Sequence, residues 1–231
     1  MNKIIIDTNE YNLELKSDLY LDIRSDSIIN LKVIDNNKIN ILVYNNFKNV
    51  TINLEMFDNT NMEINSLGIN SNINYKIIQN SNTSLKVISS IITKVDSINN
   101  ININHSGNDN KTIFYTNGIN LAKNKLYFNL NGVINKDLIN CYLDENSKII
   151  NLDSGDSLII PNLIIDTKEV IANHSAFIGT FNIEELCYLM SRGISKENAK
   201  DLLLKSIILN GMKLNIEDFV DEINEFLKIR R

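Results

Sequence analysis

The 231 residues include one proline, eight glycines, two cysteines, two histidines and no tryptophan. Each scarcity closes off a class of structure. Cys141 and Cys187 lie too far apart in sequence to read as a disulfide framework or a CxxC metal site, and they fit the reducing cytosol best. His105 and His174, the only histidines, stand alone in sequence like the two cysteines, which is not the paired spacing of a four-ligand Cys/His centre, though the chain can lend one or two ligands to a shared or carboxylate-rich site. No GxSxG, HExxH, P-loop or GxGxxG occurs, so the common catalytic motifs are absent. Positive charge is short as well: 23 Lys+Arg stand against 28 Asp+Glu, a net of -5, which excludes the backbone neutralisation that nucleic-acid binding requires. The apolar run at Ile4 to Ile6 is too short for a signal-peptide core, and no later stretch approaches about 18 apolar residues. The expectation is a soluble cytoplasmic protein with no nucleic-acid and no membrane partner.

What the chain has in excess is asparagine and isoleucine, about 40 of each, and their arrangement is informative. From Tyr11 to about His174 apolar and polar residues alternate, as in Lys38-Ile39-Asn40-Ile41, Thr51-Ile52-Asn53-Leu54, Asn100-Ile101-Asn102-Ile103 and Leu126-Tyr127-Phe128-Asn129. A period of two means strands. The runs centre near Ile41, Asn53, Ile64, Tyr75, Val87, Asn102, Ile113, Phe128 and Cys141, with polar turns and almost no helical periodicity between them. Alternating β and α elements are thereby excluded, and an antiparallel sandwich and a parallel β-helix remain. Asn131-Gly132 and Asn117-Gly118 are the pairs that would suit a tight hairpin. Stacked coils need single residues that tolerate the left-handed region, where asparagine is the usual non-glycine choice, and a chain poor in glycine and rich in asparagine suits them better. Six or seven coils about 4.8 Å apart would form a rod about 30 Å long.

The pattern changes near Phe181. Asn182-Ile183-Glu184-Glu185 resembles a capping box ahead of Leu186, Tyr188, Leu189 and Met190, and Ser191-Arg192-Gly193 breaks that helix. Ser195 caps a second helix with Ala199, Leu202, Leu203 and Ile207 on one stripe, closed by Asn210-Gly211. A third, from Asn215, carries Ile216, Phe219, Val220, Ile223, Phe226 and Leu227 on one face, with Lys228, Arg230 and Arg231 at its end. The organisation is an N-terminal β segment over 1–30, a β-helix core over 31–180 and a helical region over 181–231.

Single residues that could carry chemistry have plain structural readings beside them. Asp153-Ser-Gly-Asp156 lacks the bidentate glutamate of a calcium loop and reads as a turn. His105, ending an Ile-Asn-Ile-Asn strand, reads as a turn or edge histidine, and Cys141 and Cys187 as small core residues. His174 shares strand parity with Val170 and Ala172, which suits a partly buried histidine stabilising the end of a rod. The absence of arginine between Arg24 and Arg192 weakens the carbohydrate-active or carbohydrate-binding reading that a β-helix otherwise raises.

The stretch from Asn162 to Ile207 resembles the C-terminal part of the SufB/SufD core proteins of iron-sulfur cluster assembly. The resemblance rests on Pro161-Asn-Leu163-Ile-Ile165, Glu169-Val170, His174-Ser175-Ala176-Phe177-Ile178-Gly179, Cys187-Tyr188-Leu189-Met190-Ser191-Arg192-Gly193-Ile194, and Ala199 with Leu202-Leu203. It implies a right-handed parallel β-helix followed by helices. It further implies a non-catalytic scaffold that binds a SufC-type ABC ATPase and pairs with a second core subunit, as homodimer or heterodimer. The cargo implied is a transient iron-sulfur cluster that is not retained on the isolated protein. His174 matches a histidine that would serve as cluster or iron ligand, and a neutral imidazole nitrogen suits iron. Tyr188, Arg192, Leu203, Phe219, Ile223 and Phe226 would face the ATPase; on the residues alone, the stripe of the third helix packs on the rod's end instead. Where SufB proteins carry a cysteine and a glutamate, this chain has Gly155 and Ser175, which makes it SufD-like or a minimal form that serves both roles. Phe177, Cys187 and Ser206-Ile207 are further departures.

Overall fold

The computed structural model describes residues 2–43, 48–212 and 217–228. In chain order its strands are β1 (Asn2–Ile6), β2 (Glu10–Leu15), β3 (Leu19–Ile23), β4 (Ser27–Val33), β5 (Asn37–Val43), β6 (Asn49–Met56), β7 (Asn61–Ile69), β8 (Asn72–Gln79), β9 (Ser84–Thr93), β10 (Ser97–His105), β11 (Lys111–Asn120), β12 (Lys125–Ile134), β13 (Cys141–Asn151), β14 (Asp156–Ile165) and β15 (Val170–Gly179). Three helices follow, α1 (Ile183–Ser191), α2 (Lys196–Ile208) and α3 (Glu217–Lys228). Every strand pairs in parallel with the one two places along, so the odd strands form an eight-stranded sheet and the even strands a seven-stranded one. This is a parallel β-helix followed by helices: each coil contributes one strand to each sheet. Seven steps of about 4.8 Å make the rod about 34 Å long. Residues 2–33 supply β1 to β4 of the same two sheets, so the N-terminal segment is continuous with the rest of the rod.

Alternation works because successive side chains on a strand point to opposite faces. On the odd sheet Ile39, Ile41 and Val43 point inward with Ile64, Val87 and Phe114, and on the even sheet Ile52, Leu54, Tyr75, Ile101 and Phe128 meet them across the interior. Tyr75 and Phe114 pack edge to face with ring centres 5.4 Å apart. The coils widen along the rod: the partner one coil on is 17 residues away at Asn2–Leu19 and 31 away at Ile113–Asp144. The corners use the residues that tolerate left-handed backbone, with Asn59, Asn70, Asn82, Asp109, Asp137 and Asn140 at φ between 48 and 63°. Asn82 donates from Nδ2 to Oδ1 of Asn59 at 2.7 Å, and Asn140 to Oδ1 of Asp109 at 3.1 Å, so equivalent corners are tied from coil to coil.

The two Asn-Gly pairs form no hairpins. Asn117-Gly118 lies inside β11 and Asn131-Gly132 inside β12. Their glycines point inward and leave room for neighbours: a Cβ at Gly118 would come within 2.9 Å of Leu126 and 3.0 Å of Phe128.

The helices begin and end as their caps dictate. Asn182 accepts from the Glu184 amide at the start of α1, and Gly193 at φ +84° ends it with the Ile194 amide bonded to Leu189 O and the Gly193 amide to Met190 O. That pair of hydrogen bonds explains the glycine of Ser-Arg-Gly-Ile: only glycine takes this backbone without strain, and Ser195 then caps α2. The buried face of α2 is Ala199, Leu203, Leu204 and Ile208, rotated from the expected stripe, and Leu202 is 46% exposed. The expected start of the third helix at Asn215 and Ile216, and the terminal Arg230 and Arg231, lie outside the described residues.

A second apolar cluster joins these helices to the rod. On the outer face of the odd sheet Tyr20, Leu42, Leu67, Ile88, Ile92, Ile119 and Ile150 present an apolar flank, and Leu204, Ile208, Phe219, Ile223, Phe226 and Leu227 cover it. Ser90 Oγ donates to the Ile208 carbonyl at 2.6 Å, and Lys94 lies 4.4 Å from the Phe226 ring centre. The stripe of α3 therefore packs along the flank of the rod and not across its end. No described helix is long and apolar enough to cross a membrane.

Because Phe219 is fully buried against this flank, Phe219→Ala is expected to lower the unfolding free energy by about 3–5 kcal/mol. Urea denaturation checks it, and a change near zero would mean that α3 does not pack on the sheet.

Candidate functional site

Inward-facing positions stack into columns, one residue per coil, and one column changes character at its end. Through the register of successive odd strands it runs Leu19, Ile39, Ile64, Val87, Phe114, Glu145 and His174. Five apolar side chains give way to a carboxylate and then an imidazole.

Glu145 is 1% exposed, and neither of its carboxylate oxygens has a hydrogen-bond partner. A Cβ built on Gly132 would meet Glu145 Oε1 at 2.8 Å, Leu143 at 2.5 Å and Leu163 at 2.9 Å, so the carboxylate occupies space that only glycine at 132 leaves open. Removing an ionised carboxylate from water without a partner is costly, so burial pushes the Glu145 carboxyl up to about 7. His174 sits one coil further on, at the Cα register of Glu145 and on the same face of the sheet. It is exposed because β15 is the terminal strand of the odd sheet, as β14 is of the even one. The last coil leaves Ile160 49%, Ile164 50%, Ile171 59% and Phe177 52% exposed. The expectation of a partly buried His174 is thus corrected: the rod ends uncovered at this strand.

The hydroxyl groups in the column beside Glu145 are paired, whereas His105 Nδ1, Asn65 Oδ1 and Ser71 Oγ are also buried without a partner. Tyr75 donates to Ser66 Oγ at 2.7 Å, Ser66 to Ser89 at 3.1 Å, and Thr116 to Ser147 at 2.6 Å, in the column beside Glu145. His105, expected at a turn or edge, is fully buried at a corner, with Nε2 2.8 Å from Thr112 Oγ1, which in turn bonds Gln79. Burial lowers its imidazole to about 4.

The cysteines are divided. Cys141 is buried as expected, its sulfur 3.5 Å from the Gly107 carbonyl. Cys187 is exposed, contrary to the core reading, because α1 buries none of its residues. Gly155, at the place of the SufB-type cysteine, has no room for a side chain: a Cβ there would lie 2.3 Å from Asn120 Nδ2. Ser175, at the place of the SufB-type glutamate, points to the opposite face from His174 and donates to Asn146 Oδ1 at 2.7 Å. The titratable groups at the end of this column are therefore one carboxylate, buried, and one imidazole, exposed, at the same register position on neighbouring strands. Among the described residues no three His, Cys, Asp or Glu side chains gather into one group.

The six residues expected at an ATPase interface also separate. Phe219, Ile223 and Phe226 are buried in the chain's own second core, because the apolar flank of the odd sheet needs covering, and Leu203 is buried outside that core, beside Tyr188 and Leu189 of α1. Tyr188 is 59% exposed on α1, and the Arg192 guanidinium stacks 5.3 Å from its ring centre. Ile183 (74% exposed), Met190 and Leu202 extend that apolar surface. Glu145 was absent from the sequence reading, although parity with Cys141, Leu143 and Ile149 marks it as an inward carboxylate.

Comparison with known proteins adds a family. Residues 102–207 match the family model described as SUF system FeS cluster assembly, SufBD core domain. An iron-sulfur cluster assembly SufBD family protein of Pyrococcus horikoshii is 38% identical over 69 residues, 30% of this chain and 16% of that protein. Another, from Mycobacterium leprae, is 47% identical over 47 residues, 20% of this chain and 12% of that protein. The chain thus matches less than a fifth of the length of these relatives.

Glu145 and His105 give stability a pH signature. The folded protein holds the Glu145 proton between pH 4.5 and about 7 while the unfolded chain releases it, so this contribution falls as pH rises through that window. His105 acts oppositely: the unfolded chain takes up a proton below pH 6.5 and the folded one only near 4, so its contribution is lost as pH falls. Glu145→Gln is expected to be more stable than the parent by up to roughly 3 kcal/mol at pH 8 and equal to it at pH 4. Urea titrations at the two pH values test this; equal stabilities at pH 8 would refute a buried, unpartnered carboxylate.

Proposed function

Since the chain belongs, through residues 102–207, to the SufB/SufD family, we propose that it is a non-catalytic core subunit of iron-sulfur cluster assembly. It binds a SufC-type ABC ATPase and pairs with a second core subunit, which is another copy or a related chain. The observation that carries this reading is the position of the family match: it spans both the open end of the rod, where His174 stands, and α1 with α2, where Tyr188 and Arg192 are exposed.

Each part then has a physical task. His174 offers a nitrogen ligand to iron or to a forming cluster, which are cargo that leaves and not a resident cofactor. The uncovered edges of β14 and β15, with unpaired backbone groups and exposed isoleucines, suit contact with a second rod end. The exposed face of α1 suits the ATPase, which supplies hydrolysis from its own site. A movement of α1 relative to the last coil, driven by nucleotide on the partner, would open and close the rod end. The comparisons favour this assembly role over the carbohydrate reading.

Anaerobic co-purification of the full chain with the host's SufC-type ATPase tests the proposal through mass and subunit ratio. A complex of two ATPases and two core chains is expected, and a core protein that elutes alone would overturn it. In the double variant Tyr188→Ala, Arg192→Glu the ATPase affinity is expected to fall at least about tenfold while stability changes by no more than about 0.5 kcal/mol, as for surface positions generally. Unchanged binding in that variant would remove α1 from the interface.

A further inference from the structure

We propose that Glu145 and His174 together form a binding site for one divalent first-row metal ion, ferrous iron being the occupant, at the open end of the rod. The proposal rests on the reading of His174 as an iron ligand and extends it to a second residue that was not foreseen.

Three observations support the pair. First, the two residues are register partners on adjacent parallel strands and point to the same face, so their Cα atoms stand about 4.8 Å apart and their side chains can converge on one ion. Second, the carboxylate of Glu145 is buried with both oxygens unpartnered. The column is apolar up to Glu145, and the interior polar groups beside it (Ser66, Ser89, Thr116, Ser147) are all satisfied by one another or by Tyr75. A buried group of this kind destabilises the fold unless something occupies its lone pairs. Third, Glu145 is the last buried carboxylate before the uncovered coil, and the residue that follows it in the column, His174, is exposed. An ion arriving from solvent meets the imidazole first and the carboxylate beneath it.

The donor set defines the ligand. One carboxylate oxygen and one imidazole nitrogen with no thiolate beside them suit Fe²⁺, Co²⁺ or Mn²⁺ as a single ion, and leave positions open for water, sulfide or donors from a second subunit. A preformed cluster would call for thiolates, and neither cysteine supplies one here: Cys141 faces the Gly107 carbonyl, and Cys187 is on the outer surface of α1.

The test is anaerobic titration of the full chain with Co²⁺ and Fe²⁺, followed by calorimetry and, for Co²⁺, by visible absorption. Wild type is expected to bind, with Co²⁺ bands of oxygen and nitrogen ligation and no intense sulfur-to-metal charge transfer. Glu145→Gln and His174→Ala are each expected to weaken binding at least about tenfold. Glu145→Asp, which keeps the charge and withdraws it by one methylene, is expected to bind with intermediate affinity, and it substitutes for Glu145→Gln should that variant fail to fold by circular dichroism. Loss in His174→Ala with full binding in Glu145→Gln would refute the role of Glu145 and leave the His174 reading intact. Full binding in both variants, or sulfur charge-transfer bands, would refute the site as a whole. No binding by wild type would do the same, and the ATPase co-purification would still judge the scaffold reading separately.

Discussion

The parallel stacking of coils is the constraint from which the other features follow. Each strand bonds to the strand one coil before and one coil after, so side chains at equivalent positions are held about 4.8 Å apart in columns. A column is stable when every member can fill the interior at that spacing, as Leu19, Ile39, Ile64, Val87 and Phe114 do. It is equally a device for carrying a difference to one end: the column turns to a buried Glu145 one coil before the last and to an exposed His174 on the terminal strand.

The same stacking leaves two surfaces that must be dealt with. One is the flank of the odd sheet, which carries outward apolar residues from Tyr20 to Ile150 that α2 and α3 cover. The helices are therefore part of the folded body, and their apolar stripe covers the chain's own sheet. The other is formed by the two ends of the rod, where β1 and β2 at one end and β14 and β15 at the other are the terminal strands of their sheets. A parallel rod that is closed on its flank is open at its ends, where terminal strands lack a neighbour. The buried Glu145 beneath the end at β15 is consistent with a site that is incomplete in the single chain.

The helical region divides its labour by burial. α2 and α3 are anchored through Leu204, Ile208, Phe219 and Phe226, whereas α1 buries no residue and offers Ile183, Tyr188 and Arg192 to solvent. α1 is joined to the last coil through the short connection at 180–182.

Much of this was legible in the chain itself, because it depends on local chemistry. Period-two alternation marked the strands, left-handed asparagines marked the corners, and Asn182, Gly193 and Ser195 marked helix ends through the backbone groups they satisfy. The similarity of residues 162–207 to SufB/SufD proteins pointed to the open end. Register was not legible. Coil length varies from 17 to 31 residues, so which residue lies over which is decided by the corners and the packing between sheets, and no fixed period in the sequence reports it. For that reason the neighbourhood of Glu145 and His174, the inward placement of Gly132 beside them and the burial of Phe219 and Ile223 on the flank emerged only in three dimensions: each depends on contacts between residues far apart in the chain, which tertiary packing alone selects.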